Sequence, residues 1–192
     1  MLILVAAVAL AWRATHEPGA RARSGDRLMV WSVRALLPLG AIALAAGTVT
    51  TAAGPHSGGT GGEKITRLTF KGAGTLQWMV HRHATIAALF GIAVIAVWLL
   101  RRQRGGALDP LDPLTVLGVL LAAQGLVGSV QYELHLPTDI VWVHVGLATL
   151  TWLTVLWAVA DAGVLVPRAQ PAAALDSEPP ERGASRTLEP VG

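Results

Sequence analysis

Four apolar stretches, each long enough to cross a lipid bilayer, constrain this chain more than any other feature: Ala35 to Thr51, Trp78 to Leu100, Leu114 to Val130 and Ile140 to Val164. At about 1.5 Å of rise per residue, roughly 20 apolar residues traverse a hydrocarbon layer of roughly 30 Å. Backbone amides find no water inside that layer, so each span must close its own hydrogen bonds as a helix. The expected fold is therefore all-α, a polytopic membrane protein built as a bundle of four transmembrane helices. Composition agrees, because 53% hydrophobic and 14% charged residues with a mean hydropathy of +0.52 are too apolar for an ordinary soluble domain. The 192 residues hold one such unit with its loops and a tail, and leave no room for a second large domain.

The same numbers exclude several functions. The net charge is only +3, and the basic residues lie between apolar runs instead of interleaving with aromatics, which argues against nucleic acid as a partner. With no cysteine there is no disulfide, thiolate metal site or Cys-held iron–sulfur cluster. Metal chemistry must then use histidine, carboxylate or a cofactor.

Residues 1–27 read as a partial preceding helix and a loop, 28–166 as the four-helix unit, and 167–192 as a tail. The short apolar segment Leu2 to Trp12 spans about half a bilayer. It lacks the basic leader of a signal peptide, so it reads as the end of an earlier helix, with an interfacial or signal-like segment as the alternative. That suggests a fragment or half-protein. The tail after Pro167 is rich in Pro, Ala, Glu, Asp and Arg without apolar periodicity and is expected to be disordered. Arg13, Arg21, Arg23, Arg27 and Arg34 precede the first full span, and Arg101, Arg102 and Arg104 follow the second. By the positive-inside rule those loops are cytoplasmic. The loop Ala52 to Thr75 and the turn Tyr132 to Thr138 then lie outside. Trp31, Trp78, Trp98, Trp142 and Trp157 fall near span ends, as an aromatic belt requires.

Polar groups inside a membrane are costly and therefore informative. Here they are His81, Arg82 and His83 in the second span and His144 in the fourth. With Thr75 and Thr138 as N-caps, His81 and His144 each lie roughly 9 Å deep, and His83 roughly 3 Å deeper. Two imidazoles at matching depth on two helices are what an axially ligated heme needs. Residues two apart on a helix point about 200° away from each other, so at most one of His81 and His83 faces a given iron. His81 shares its stripe with Ala84, Ala88 and Ile95, and His83 lies above Ala87, Phe90 and Gly91. Depth favours His81 slightly. The competing reading makes these histidines interfacial residues that bond to neighbouring helices or headgroups. Arg82 suits either a propionate or lipid phosphate. His56 and His135 fall in outer loops and His16 in a cytoplasmic one, where a solvated side chain is expected. The glycines Gly58, Gly59, Gly61 and Gly62 beside His56 lack the Lys-Ser or Lys-Thr of a phosphate loop. Gln124, Gly125 and Gly128 repeat at helical spacing in the third span, with Gln131 and Tyr132 beyond. This pattern predicts close helix packing and a hydrogen bond from Gln124 inside the bundle.

The stretches GTVTTAAGPHSGG (47–59), HRHAT (81–85) and QGLVGSVQYELHLPTDIVWVHVGLA (124–148) resemble the C-terminal half of the heme A synthase family in its actinobacterial form. The similarity runs from the first full span through the fourth. The resemblance implies a bacterial cell-membrane protein whose four helices hold heme b, with His144 as one axial ligand and the outer-leaflet His-Ala-Thr start at His83 as the other. His81 with Arg82 matches the His-Arg pair found elsewhere in the family and stands as the alternative. Family members oxidise a methyl substituent of heme O to the formyl group of heme A for terminal oxidases, using two homologous four-helix halves. A catalytic N-terminal half has no counterpart here except in Leu2 to Trp12, and no Asp or Glu lies in the apolar interior of the four spans. A homodimer or a separate N-terminal half would complete the pair. Competing functions are a non-catalytic b-type electron carrier and a membrane protein that binds no heme.

Overall fold

A computed structural model of the chain describes residues 7–9, 11, 16–21, 26–55, 67–105, 112–162 and 165–167. The loop carrying His56 and its glycines, most of Leu2 to Trp12 and the tail after Pro167 lie outside the described residues. Helices α1 (Arg27–Ala53), α2 (Thr75–Gln103), α3 (Pro113–Glu133) and α4 (Thr138–Asp161) run in alternating directions, and each is long and apolar enough to cross a membrane. The membrane-spanning fold is all-α, as the sequence predicts. A 3-10 turn, Gly72–Gly74, leads into α2. Away from the spans, strands β1 (His16–Arg21) and β2 (Leu165–Pro167) pair antiparallel.

Three boundaries differ from the sequence reading. Helix α1 begins at Arg27, well before Ala35, because the Asp26 carboxylate caps it by accepting from the Met29 amide at 3.0 Å. Arg27 and Arg34 are therefore helical, and Arg34 reaches back over the Trp31 ring at 5.3 Å. Thr75 and Thr138 are first helical residues, with Gly74 and Pro137 in the cap positions. The Thr75 hydroxyl nevertheless helps fix the entry to α2, accepting from the Lys71 amide at 2.9 Å and donating to the Gly72 carbonyl at 2.8 Å.

The two ends of the bundle are built differently. At the end formed by the start of α1, the end of α2 and the start of α3, ion pairs lace the helices together. Arg104 pairs with Asp26, and Arg101 with Asp112 at 2.8 Å, while Trp98 donates to Thr115 Oγ1 at 3.1 Å. The close-packed apolar core begins at this end, with Val33, Leu36, Val94, Leu114, Leu117 and Val155 nearly or fully buried. Burial of a Leu or Val side chain is worth about 1.5–3 kcal/mol, so this end anchors the bundle. The core cluster stops at Ala43 and Phe90; beyond them stand the half-buried glycines and histidines. Large side chains such as Leu89, Ile92, Val119, Leu126 and Trp142 point outward, as a lipid-facing surface requires.

At the opposite end a tight turn joins α3 to α4. The Leu136 amide donates to the Gln131 carbonyl at 2.8 Å and the His135 amide to Tyr132 at 3.1 Å, the bonding of a Schellman motif. His135 occupies the left-handed position usually held by glycine, with φ of 61°, and its side chain is exposed. The turn fixes where α4 starts, and so the height of His144 beside α3.

Candidate heme-binding site

His83 on α2 and His144 on α4 face each other across the bundle, their ring centroids 6.4 Å apart and their planes at 79°. Both are half-buried. His81, Arg82 and their neighbours sit elsewhere. His81 is exposed on the outer face of α2, and its Nδ1–H donates to the Gln77 carbonyl at 2.7 Å. The Arg82 guanidinium lies over the Trp78 ring at 5.2 Å, where the Lys71 ammonium also lies at 5.2 Å. The sequence alternatives thus separate by helix face: the roughly 200° between positions two apart turns His83 inward and His81 outward. The depth count, which sets His81 level with His144, carries no information about face.

Each inward ring rests against a glycine of the preceding helix. A Cβ placed on Gly47 of α1 would stand 3.0 Å from His83 Cε1, and one on Gly128 of α3 would stand 3.1 Å from His144 Cε1. Gly125, also expected to pack, meets nothing within 4 Å. Gln124 bonds inside the bundle as predicted, its Nε2–H donating to the His144 carbonyl at 3.1 Å and tying α3 to α4 at the histidine.

The polar atoms here are incompletely used. His83 Nδ1, His144 Nδ1, Gln124 Oε1 and Gln131 Oε1 are all buried without a hydrogen-bond partner. Leaving such atoms unpaired costs about 1–3 kcal/mol each, which is why they usually have a partner. Gln124, Gly128 and Gln131 recur at helical spacing on the face of α3 that meets His144. Sequence reasoning named Gln131 without assigning it to this face, although its spacing from Gln124 carried the signal.

No family model, curated protein or solved structure matches the chain. The local chemistry therefore has to carry the assignment. Two imidazoles bound trans to one metal, at about 2.0–2.1 Å per bond plus roughly 1.1 Å from nitrogen to ring centre, place their centroids roughly 6.2–6.4 Å apart. The observed 6.4 Å fits. Packed rings in edge contact span the same range, about 4.5–7 Å, so distance alone does not separate the two. Each ring keeps one buried nitrogen, Nδ1, without a hydrogen-bond partner, which suits ligation. Among the described residues no group of three or more His, Asp or Glu side chains converges. The residues present fit a bis-histidine heme.

Proposed function

We propose that this protein binds heme b between α2 and α4 through His83 and His144, and that it serves as the cofactor-bearing four-helix half of a heme A synthase. The observation that carries the reading is the facing pair of half-buried imidazoles at 6.4 Å, each with a buried, unpaired Nδ1. When bound, heme b supplies one-electron transfer. The protein's own residues hold it in place. His83 and His144 would supply the nitrogens that hold the iron, while Gln124 anchors the His144 backbone. Arg82 and Lys71, gathered at Trp78 near the start of α2 and off the face that carries His83, hold positive charge suited to lipid phosphates at the membrane surface. The arginines around α1 and after α2 support, by the positive-inside rule, a reading in which the histidine end lies on the extracytoplasmic side, and the resemblance to the heme A synthase family supports a bacterial cell membrane. In this role the protein contributes to oxidation of the heme O methyl group to the formyl of heme A.

A second reading is favoured by the lack of any Asp or Glu at interior positions of the four spans. Without a carboxylate beside the heme, the same ligands suit a b-type electron carrier with no heme O conversion. The two readings share the site and differ in the reaction.

The test is a reduced-minus-oxidised spectrum of the purified protein with pyridine hemochrome quantification. About one heme b per chain with a low-spin spectrum is expected. His83→Ala and His144→Ala each abolish the low-spin bands, and His81→Ala keeps them. Wild-type protein without heme refutes the assignment, and loss of the bands in His81→Ala refutes the choice of ligand. Conversion of heme O in a reconstituted membrane separates the enzyme from the carrier.

A further inference from the structure

The two glycines against the histidine rings form a repeated device. Ala46-Gly47-Thr48-Val49 on α1 and Val127-Gly128-Ser129-Val130 on α3 share a pattern of small or apolar residue, glycine, hydroxyl residue and valine. Their partner helices share another, His83-Ala84-Thr85-Ile86-Ala87 on α2 and His144-Val145-Gly146-Leu147-Ala148 on α4. In both hairpins the hydroxyl turns back to its own helix, Thr48 to the Leu44 carbonyl at 3.0 Å and Ser129 to Gly125 at 2.9 Å. Neither hydroxyl is therefore spent on the rings. In both, the ring presents Cε1, the carbon between its two nitrogens, to the space a glycine Cβ would occupy.

We propose that Gly47 and Gly128 are positioning residues that set the planes of the two heme ligands, an inference that rests on the heme assignment above. An imidazole turns about two side-chain bonds, and a neighbour contacting the Nδ1–Cε1–Nε2 edge limits both. The nitrogens of His83 lie 3.5 Å from the Cβ position of Gly47, and His144 Nδ1 lies 3.5 Å from that of Gly128. A methyl group at either glycine presses on the ring edge itself, and the ring must tilt or the hairpin must open. Either response changes the 79° between the planes. The anisotropy of the electron paramagnetic resonance signal of low-spin ferric heme depends on that angle, so the seats have a spectroscopic readout independent of activity.

The experiment compares that signal in heme-loaded full-length protein and four variants. Gly47→Ala and Gly128→Ala are expected to shift the g anisotropy while retaining heme. Gly125→Ala, where a Cβ meets open space, is expected to keep the wild-type signal. Gly40→Ala supplies the matched control for crowding, since its Cβ would stand 3.2 Å from Phe90 Cζ, away from the rings, and it too keeps the wild-type signal. Either seat variant suffices if the other does not accumulate. Wild-type signals in both seat variants, or an equal shift in Gly40→Ala, overturn the seats and leave the heme assignment standing. Wild-type protein that binds no heme overturns both.

Discussion

Asp112 holds the lacing end of the bundle together, and its replacement should show it. One carboxylate oxygen, Oδ1, accepts both the Leu114 amide at 3.1 Å, capping α3, and Arg101 Nη1 at 2.8 Å, joining α2 to α3 across the intervening loop. Asp112 is only 6% exposed, whereas a third of the Arg101 side chain meets solvent, at 34%. Losing an N-cap costs about 0.5–2 kcal/mol. A fully buried pair broken on one side costs about 3–5 kcal/mol, but the exposure of Arg101 lets its charge return to water and brings this closer to 1 kcal/mol. Asp112→Ala loses both terms and should destabilise by about 1.5–3 kcal/mol. Asp112→Asn keeps a good cap and should lose only about 1 kcal/mol. Reversible unfolding in mixed micelles, titrated with a denaturing detergent and followed by helical circular dichroism, measures both. The reasoning is refuted if both variants fall within about 0.5 kcal/mol of wild type, the range of ordinary surface changes. Equal large losses would instead show that the charge dominates and the cap contributes nothing.

Two further predictions concern the ends of the bundle. The Arg104 guanidinium, and secondly the Met29 amide, hold the Asp26 carboxyl below its ordinary value of 3.8. A depressed carboxyl stabilises the fold fully above its unfolded value and less as pH falls through the folded one. The acid limb of a stability profile should therefore flatten in Asp26→Asn, and an unchanged limb would show that the pair is not maintained in solution. At the α3–α4 turn, His135→Gly relieves a left-handed backbone that costs about 1–2 kcal/mol and adds about 0.4–1 kcal/mol of unfolded-state freedom. A net gain of about 0.5–1 kcal/mol in the same micelle titration is expected, and a loss would assign His135 a bonded role.

The sequence alone determined the class of fold. Inside lipid the backbone has no other way to satisfy its amides, so four apolar runs dictate four helices, and their charged flanks dictate roughly where each one stops. It also drew attention to His83 and His144, because a histidine in a span is costly wherever it points. Boundaries were less legible: the Asp26 cap lies among polar residues, so hydropathy alone starts α1 too late. The choice between His81 and His83 depended on rotation. Which face of α2 turns inward is set by how Phe90, Val94 and Val97 enter the core several turns away, and no local count of depth contains that. Nor did Gly47 stand out among 21 glycines until α1 came to rest against the His83 ring, since a glycine acquires a role only from what fills the space its side chain leaves.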